Sequence, residues 1–162
     1  MPKIIFGDRT LFPSLKHSSY LNHAAVSPIS SPVAQAIQTI TQDYMVNGVS
    51  AFVGWMEQRE RLREKLAGFL GCSSSELAFV PNTSGGVIQV AQNLNWRTGD
   101  RIGLFKGEFP TNITPWQQSA QHNRLNLCWF NANDFTSRGS GLGRLEVELK
   151  KGIKLVAVSA VQ

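Results

Sequence analysis

The stretch FVPNTSGGVIQVA, residues 79–91, is the most informative part of the chain. It overlaps an apolar run, residues 77–80, that is typical of a strand and stops at Pro81. Apolar residues recur from Val87 with helical spacing, so a helix is expected to start in the turn between them. The free amides and the dipole of such a helix start attract an anion, which favours phosphate binding. The alternative is an ordinary turn that only caps the helix.

The small residues of this turn favour the phosphate interpretation. Thr83 and Ser84 carry hydroxyl groups that can donate hydrogen bonds to an anion. Gly85 and Gly86 have no side chain, so a ligand can approach their backbone closely. The sequence therefore predicts a phosphate-binding helix start at residues 83–86.

A second turn, GEFPTNITPW at residues 107–116, follows another strand-like run at residues 101–106. Phe109 would therefore lie just beyond the carboxyl end of a strand. If this strand runs parallel to residues 77–80, the two turns lie on the same edge of the sheet. Ligands bind at that edge in open α/β sheets, so Phe109 is a candidate binding residue.

A third segment, YLNHAA at residues 20–25, completes the pattern. With the three segments in this order, the sequence resembles the class V aminotransferase family of pyridoxal-phosphate enzymes. That family includes the cysteine desulfurases, the kynureninases and the isopenicillin-N epimerase-like proteins. The resemblance covers nearly the whole chain and implies an α/β fold. The expected fold is an incomplete large domain of the pyridoxal-phosphate transferase fold type I, with a mostly parallel sheet and helices on both faces.

The resemblance also implies roles for individual residues. The cofactor-binding residues that it implies are Thr83, Ser84, Phe109 and Gln162. The two hydroxyl residues would hold the phosphate of pyridoxal 5'-phosphate, and Phe109 would stack on the pyridine ring. Gln162 would lie near the ring hydroxyl or the substrate. Asn22 and His23 would belong to an amino-terminal loop that closes over an amino-acid substrate.

Two departures from the family pattern bear on the reaction. In the desulfurases the stacking residue is usually a histidine that also takes part in proton transfer, whereas Phe109 can stack but cannot move a proton. This argues against desulfuration without excluding it. The phosphate turn often reads Gly-Thr-Thr or Ala-Thr in the family and reads Asn-Thr-Ser at residues 82–84. The pair of hydroxyl residues is retained, so the phosphate assignment stands.

The family's Schiff-base lysine and the aspartate that pairs with the pyridine nitrogen are expected beyond residue 162. The chain is therefore expected to be the amino-terminal part of a longer enzyme and to be inactive alone. Residues 1–28 would form an extension with the substrate loop, and residues 29–162 the first part of the cofactor-binding domain. Two alternatives stay open: a non-catalytic truncated product that self-associates or binds a partner, and an unrelated phosphate- or nucleotide-binding α/β module.

The composition is typical of a globular domain, because 42% of the residues are hydrophobic and 17% are charged. No stretch reaches the roughly 20 apolar residues of a membrane span, and the first residues lack the apolar core of a secretory signal. A cytoplasmic location and no membrane partner are therefore expected. By resemblance, the protein is expected to form a homodimer.

The net charge of +5 raises nucleic acid as a partner. The densest basic run, residues 57–65, alternates with acidic residues, and Glu57 and Arg61 have the i,i+4 spacing of a helical ion pair. A nucleic-acid-binding protein would present a basic stripe instead, so no nucleic-acid partner is expected.

The remaining reactive residues have plain structural interpretations. Cys72 and Cys128 do not have the spacing of a zinc site and are expected to be structural thiols. Lys106 is expected to be a solvated residue that ends a strand. The glycine-rich stretch 139–143 lacks the glycine spacing and the preceding strand of a dinucleotide-binding loop, so it predicts a flexible connection.

Two helices are expected before the first turn. Ser31 is the expected cap of a helix that Pro32 starts and Asn47–Gly48 ends, and a second helix runs from about Gly54 to Gly71. One face of the first helix carries Val33, Ile37, Ile40 and Tyr44. The residues that the second helix is expected to bury are Trp55, Leu62, Leu66 and Phe69.

Strand-like apolar runs recur near residues 77–81, 101–105, 125–130 and 153–159. Each gap has a helical pattern or room for a helix, and this alternation predicts a mostly parallel sheet that is covered on both faces. Thr111 or Asn112 is a plausible cap for a helix over about residues 113–121. Ser73 and Glu76 have the spacing of a capping box.

Overall fold

The computed structural model describes residues 8–135 and 139–161. The chain forms two compact units and passes from one to the other between Leu77 and Ala78. The predicted functional boundary between residues 28 and 29 does not coincide with this division and stays a prediction. Over the described ranges, no helix combines the length and the hydrophobicity that crossing a bilayer would need.

The first unit begins its regular structure with helix α1 (Ser31–Asn47). Pro32 lies in the first turn, where the missing N–H of proline costs no helical hydrogen bond. The cap is Ser30 rather than the predicted Ser31, because Ser31 already has helical geometry. The helix ends at Gly48, whose φ of 53° favours glycine, so the predicted end is confirmed.

Helix α2 (Phe52–Leu70) follows after a short 3-10 turn, Gly48–Ala51. It ends at Gly71, which adopts the left-handed conformation with a φ of 72°, and this confirms the predicted end. The indole Nε1 of Trp55 donates a 2.6 Å hydrogen bond to Asp43 Oδ2 and so ties α2 to α1.

The apolar faces of these helices are more exposed than the sequence predicted. In the described part of the first unit, the buried apolar residues are Ala51 and Ala67. Leu62 is 47% exposed and Phe69 is 85% exposed, so the prediction that α2 buries them is wrong. Helical periodicity identifies an apolar face, but burial requires a packing partner, which periodicity does not supply.

The second unit alternates helices and strands. Its elements are α3 (Thr83–Asn93), β1 (Arg101–Lys106), α4 (Thr114–Asn123), β2 (Asn126–Asn131), α5 (Gly141–Lys150) and β3 (Ile153–Ala157). The three strands form one parallel sheet in the order β2–β1–β3. The predicted strands near 101–105, 125–130 and 153–159 and their parallel direction are thereby confirmed, although β3 ends two residues earlier.

One face of the sheet holds the main core of this unit. Successive residues of a strand point to opposite faces, so Ile102 and Leu104 of β1 share a face. Both are fully buried and belong to one cluster with Ala91 of α3 and Trp116 of α4. Helices α3 and α4 therefore cover this face.

The other face carries an aromatic cluster. The ring centroid of Phe105 lies 5.4 Å from that of Phe130 and 5.2 Å from that of Phe135. The guanidinium of Arg144, on α5, lies 5.6 Å from the centroid of the Phe130 ring. The prediction of helices on both faces is confirmed, since α5 packs opposite α3 and α4.

The predicted strand near residues 77–81 is wrong. This segment belongs to none of the strands in the described part of the chain, and Val80 is 48% exposed. A strand exists only where a neighbour completes its hydrogen bonds, and an apolar run does not specify that neighbour. The predicted helix after this segment is nevertheless present as α3.

Two local predictions in the second unit also need correction. Helix α4 has Ile113 as its cap, because the predicted caps Thr111 and Asn112 belong to a separate 3-10 turn. The predicted flexible connection at 139–143 is wrong for residues 141–143, because α5 begins at Gly141, whereas residues 139 and 140 belong to no described helix or strand. A Cβ at Gly141 would lie 2.6 Å from a backbone oxygen, so only glycine fits there.

A methyl group at Gly103 tests the packing of the aromatic face. Its Cβ would lie 3.0 Å from Phe130 Cε2 and 3.2 Å from Val156 Cγ2. Because Phe130 is 1% exposed and closely packed, we expect Gly103→Ala to lower the free energy of unfolding by about 1–3 kcal/mol in urea titrations. The control Gly143→Ala meets nothing within 4 Å and should be neutral or stabilising. Equal stability of the two variants would contradict the packing argument.

Asp100 makes the stability of the second unit sensitive to acid. Its Oδ2 accepts from Lys154 Nζ at 2.6 Å and from the Arg97 amide at 2.8 Å. These bonds, the one from Lys154 foremost, lower the pKa of Asp100 below its usual 3.8. The contact therefore stabilises the fold fully above that value and is lost as the pH falls through the lower folded-state pKa.

We therefore expect Asp100→Asn to flatten the acid side of the curve of unfolding midpoint against pH, because the amide does not titrate. Thermal unfolding from about pH 6 down to pH 2 measures this curve. A variant curve that runs parallel to the wild-type curve below pH 4 would show that the contact does not contribute.

Candidate functional site

The start of helix α3 lies where the sequence predicted it, and Asn82 caps it, as the alternative interpretation of an ordinary capping turn would have it. Asn82 is extended and its Oδ1 accepts a 2.8 Å hydrogen bond from the Gly85 amide. The amides of Thr83 and Ser84 precede the first intrahelical bond, and neither donates to an acceptor among the described residues. Two backbone donors and the helix dipole are therefore directed at this end of α3.

The two glycines of this turn serve different purposes. A Cβ at Gly86 would lie 3.3 Å from Val80 Cγ2, so glycine here allows close packing of the preceding segment. At Gly85 the nearest atom to a Cβ would be 3.5 Å away, which is ordinary contact. Packing therefore explains the glycine at Gly86 but does not require a glycine at Gly85.

The second predicted turn leaves the carboxyl end of β1 through Gly107, which has a φ of 90°. Phe109 follows, and its carbonyl accepts a 2.8 Å bond from the Asn112 amide to close a 3-10 turn. The Phe109 side chain is 75% exposed at this edge of the sheet. An aromatic ring that the fold leaves uncovered is available for stacking.

A hydrogen bond brings the two turns together. Ser84 Oγ and Thr111 Oγ1 lie 2.9 Å apart, so the start of α3 and the turn that bears Phe109 meet at one edge. Thr111 is a candidate site residue that the sequence predicted only as a helix cap. Its hydroxyl, two residues after the candidate aromatic residue, is the signal that could have identified it.

The carboxyl end of β3 reaches the same edge. Glu108 is 6% exposed, and both of its carboxylate oxygens accept hydrogen bonds from Ser159, just beyond β3. The sequence analysis did not identify this pair. An acidic residue between a strand and an aromatic residue was the available signal, but its partner is 51 residues away.

These residues fit a ligand that carries a phosphate group and an aromatic ring. The donor set at α3 consists of backbone amides and hydroxyls, which suit a phosphate monoester. Phe109, in the second turn, supplies an exposed aromatic ring. Pyridoxal 5'-phosphate has both of these chemical features.

The predicted substrate residues lie in the first unit. His23 Nδ1 lies 3.0 Å from Ser27 Oγ, and its ring contacts Tyr20 edge to face at 5.2 Å. Asn22 is exposed, and its carbonyl accepts from the Ala25 amide at 3.3 Å. Their role toward a substrate stays a prediction.

The other predicted and reactive residues add little to the site. Gln162 lies outside the described residues. Cys72 and Cys128 are free thiols, and Cys128 Sγ accepts a 3.0 Å hydrogen bond from Arg101. Within the described ranges, no cluster of His, Cys, Asp and Glu side chains could hold a metal ion. Lys106 ends β1 and is exposed.

Sequence comparison identifies relatives of this chain. A family model described as aminotransferase class-V matches residues 19–162. A probable cysteine desulfurase of Methanothermobacter thermautotrophicus is 34% identical over 108 residues, which are 64% of this chain and 27% of that protein. A probable cysteine desulfurase of Pyrococcus abyssi is 31% identical over 156 residues, 92% of this chain and 38% of that protein. The chain thus spans well under half the length of either relative.

Solved structures share the fold. A mutant of C-DES with glycine covalently linked to its pyridoxal-phosphate cofactor matches 92% of this chain and 40% of that chain, with a TM-score of 0.82 and 24% identity. An apo cysteine desulfurase from Thermococcus onnurineus NA1 matches 80% of this chain and 33% of that chain, with a TM-score of 0.65 and 27% identity. With this shared α/β fold and a family match over residues 19–162, the chain belongs to the class V aminotransferase family of pyridoxal-phosphate-dependent, fold type I enzymes.

Proposed function

We propose that this chain binds pyridoxal 5'-phosphate at the carboxyl edge of its sheet. The observation that carries the proposal is the 2.9 Å hydrogen bond between Ser84 and Thr111, which joins the start of α3 to the turn that bears Phe109. A phosphate group and an aromatic ring on one small ligand would then find their partners on neighbouring segments.

The start of α3 holds the phosphate in this proposal. The amides of Thr83 and Ser84 and the hydroxyl of Thr83 donate to phosphate oxygens, and the helix dipole offsets their charge. The Ser84 hydroxyl can accept from Thr111 while it donates to the ligand. Asn82 keeps the first turn rigid because its side chain occupies the Gly85 amide.

Phe109 covers one face of the pyridine ring and excludes water from that side. Its stacking defines the plane in which the ring lies. By resemblance, Gln162 approaches the ring hydroxyl or the substrate, and Asn22 and His23 face the substrate. These three assignments are proposals that rest on the family alone.

The proposed reaction of the whole protein takes place on an amino acid. Bound pyridoxal phosphate supplies an electron sink for negative charge at the substrate α-carbon. Transamination, desulfuration, epimerisation and β-elimination all share this requirement. Phe109 has no titratable group, so it orients the ring but cannot hold or move a proton, which argues against desulfuration.

Cysteine desulfurase activity is the second candidate function. It is favoured by the two relatives that are 34% and 31% identical and carry that name. Assaying the whole protein with cysteine separates the candidates, since desulfuration releases sulfur and alanine whereas transamination releases a keto acid. If the residue at this position decides the outcome, Phe109→His should increase sulfur release.

The whole protein's activity extends beyond the described residues. The chain spans 27% and 38% of the lengths of the two desulfurases. By resemblance, we propose that the covalent attachment of the cofactor and the contact to its ring nitrogen come from outside the described residues. These residues would then bind the cofactor without turnover. A homodimeric state and a cytoplasmic location are also proposals from the family, and sedimentation velocity tests the first.

Replacing Ser84 tests the phosphate assignment. Ser84→Ala removes a hydroxyl next to the ligand anion and the bond to Thr111, so the dissociation constant for pyridoxal phosphate should rise about tenfold or more. Absorbance titration measures it. The control Ser140→Ala changes a serine that precedes α5 without a capping bond, and it should leave affinity unchanged. Unchanged affinity of Ser84→Ala would refute the assignment.

Replacing Phe109 tests the ring assignment. Because the side chain is 75% exposed, Phe109→Ala should leave the unfolding midpoint unchanged. Loss of stacking should raise the dissociation constant for pyridoxal phosphate about two- to tenfold, while Phe109→Tyr, which keeps a ring, should retain affinity. If the alanine and tyrosine variants bind equally well, Phe109 does not stack on the cofactor.

A further inference from the structure

Glu108 is a buried carboxylate at the edge of the candidate site. It is 6% exposed and stands between Gly107, where the chain leaves β1, and the candidate stacking residue Phe109. Carboxylates are rarely buried, because their charge must be compensated by hydrogen bonds or by a partner. Glu108 therefore needs hydrogen-bond partners at this position.

Both oxygens of the carboxylate accept hydrogen bonds from Ser159. Oε1 accepts from the Ser159 amide at 2.5 Å, and Oε2 accepts from the Ser159 hydroxyl at 2.6 Å. Two bonds to one residue fix an orientation as well as a distance. Away from bulk water, both bonds gain strength because the local dielectric is low.

Ser159 stands where the strand ladder has ended. The ladder between β1 and β3 pairs Leu104 with Ala157 and stops there. In the same register, Ser159 would lie opposite Lys106, but no ladder bond joins them. Beyond the last paired residues, the hydrogen bond between Glu108 and Ser159 connects the segment that follows β1 with the segment that follows β3.

The turn that bears Phe109 is therefore held on two sides. Glu108 fastens it to the exit of β3, and Thr111 fastens it to Ser84 at the start of α3. Phe109, whose ring is exposed, lies between Glu108 and Thr111 in the sequence. These two attachments restrict the movement of the turn's backbone.

We propose that Glu108 is a positioning residue that holds the Phe109 ring in the plane required for stacking on the cofactor, by fixing the turn to Ser159. This proposal rests on the proposed binding of pyridoxal phosphate. It assigns Glu108 no contact with the cofactor and no part in holding the phosphate, which belongs to α3.

Comparing the binding of pyridoxal phosphate with the binding of inorganic phosphate separates a role in positioning the ring from a general loss of stability. Ser159→Ala removes the hydroxyl bond to Glu108 and keeps the amide bond, so the fold should survive. Ser159→Thr restores a hydroxyl, and Glu108→Gln keeps the shape of the side chain with one acceptor oxygen. Each variant is titrated with pyridoxal phosphate and, separately, with inorganic phosphate, and circular dichroism of the bound cofactor reports the orientation of its ring.

We expect Ser159→Ala and Glu108→Gln to weaken pyridoxal-phosphate binding about two- to tenfold and to change the circular dichroism band of the bound cofactor. Binding of inorganic phosphate should stay as in the wild type, because α3 is untouched. Ser159→Thr should restore the wild-type band and affinity.

The other outcomes overturn the inference in distinguishable ways. If the variants lose inorganic phosphate and pyridoxal phosphate in the same proportion, Glu108 supports the fold in general and does not position the ring. If the variants match the wild type in both affinity and circular dichroism, the Glu108 contact has no role in binding. If the wild type itself binds no pyridoxal phosphate, the proposed function fails and the inference falls with it.

Discussion

The site depends on the central position of β1 in a parallel sheet. β1 pairs on one side with β2 and on the other with β3, and all three strands run in the same direction. Their carboxyl ends therefore reach one edge, which is where open α/β sheets bind ligands. The turn after β1 leaves from the middle of that edge, so it can contact segments on both sides.

Hydrogen bonds between side chains convert this edge into a candidate site. Ser84 meets Thr111 on one side of the turn, and Glu108 meets Ser159 on the other. Neither contact belongs to the strand ladder, so each adds an attachment where backbone pairing has ended. The Phe109 ring, which lies between them in the sequence, remains exposed, and a stacking residue needs such an attached backbone and an uncovered ring.

The names of two relatives favour desulfuration, whereas the identity of Phe109 argues against it. The two relatives described above are named as probable cysteine desulfurases. By resemblance, Phe109 would stand where a proton-carrying side chain is usual in that group. Stacking requires only a flat ring, whereas proton transfer requires a titratable nitrogen or oxygen. A phenylalanine at this position would therefore keep the proposed stacking on the cofactor and lose the proton transfer.

The sequence by itself determined the features that depend on neighbouring residues. Gly48 and Gly71 terminate helices α1 and α2 with positive φ angles, and Asn82 caps the start of α3. The order of the motifs identified the family. Only the tertiary structure decided which apolar segments pack against a neighbour. Within the described residues, the segment 77–81 forms no strand, and the apolar face of α2 is exposed. The tertiary structure also decided the contacts of the site, because Ser84 and Thr111 are 27 residues apart and Glu108 and Ser159 are 51 apart. No local rule reaches that far, since such pairs form only when the sheet brings the strand ends together.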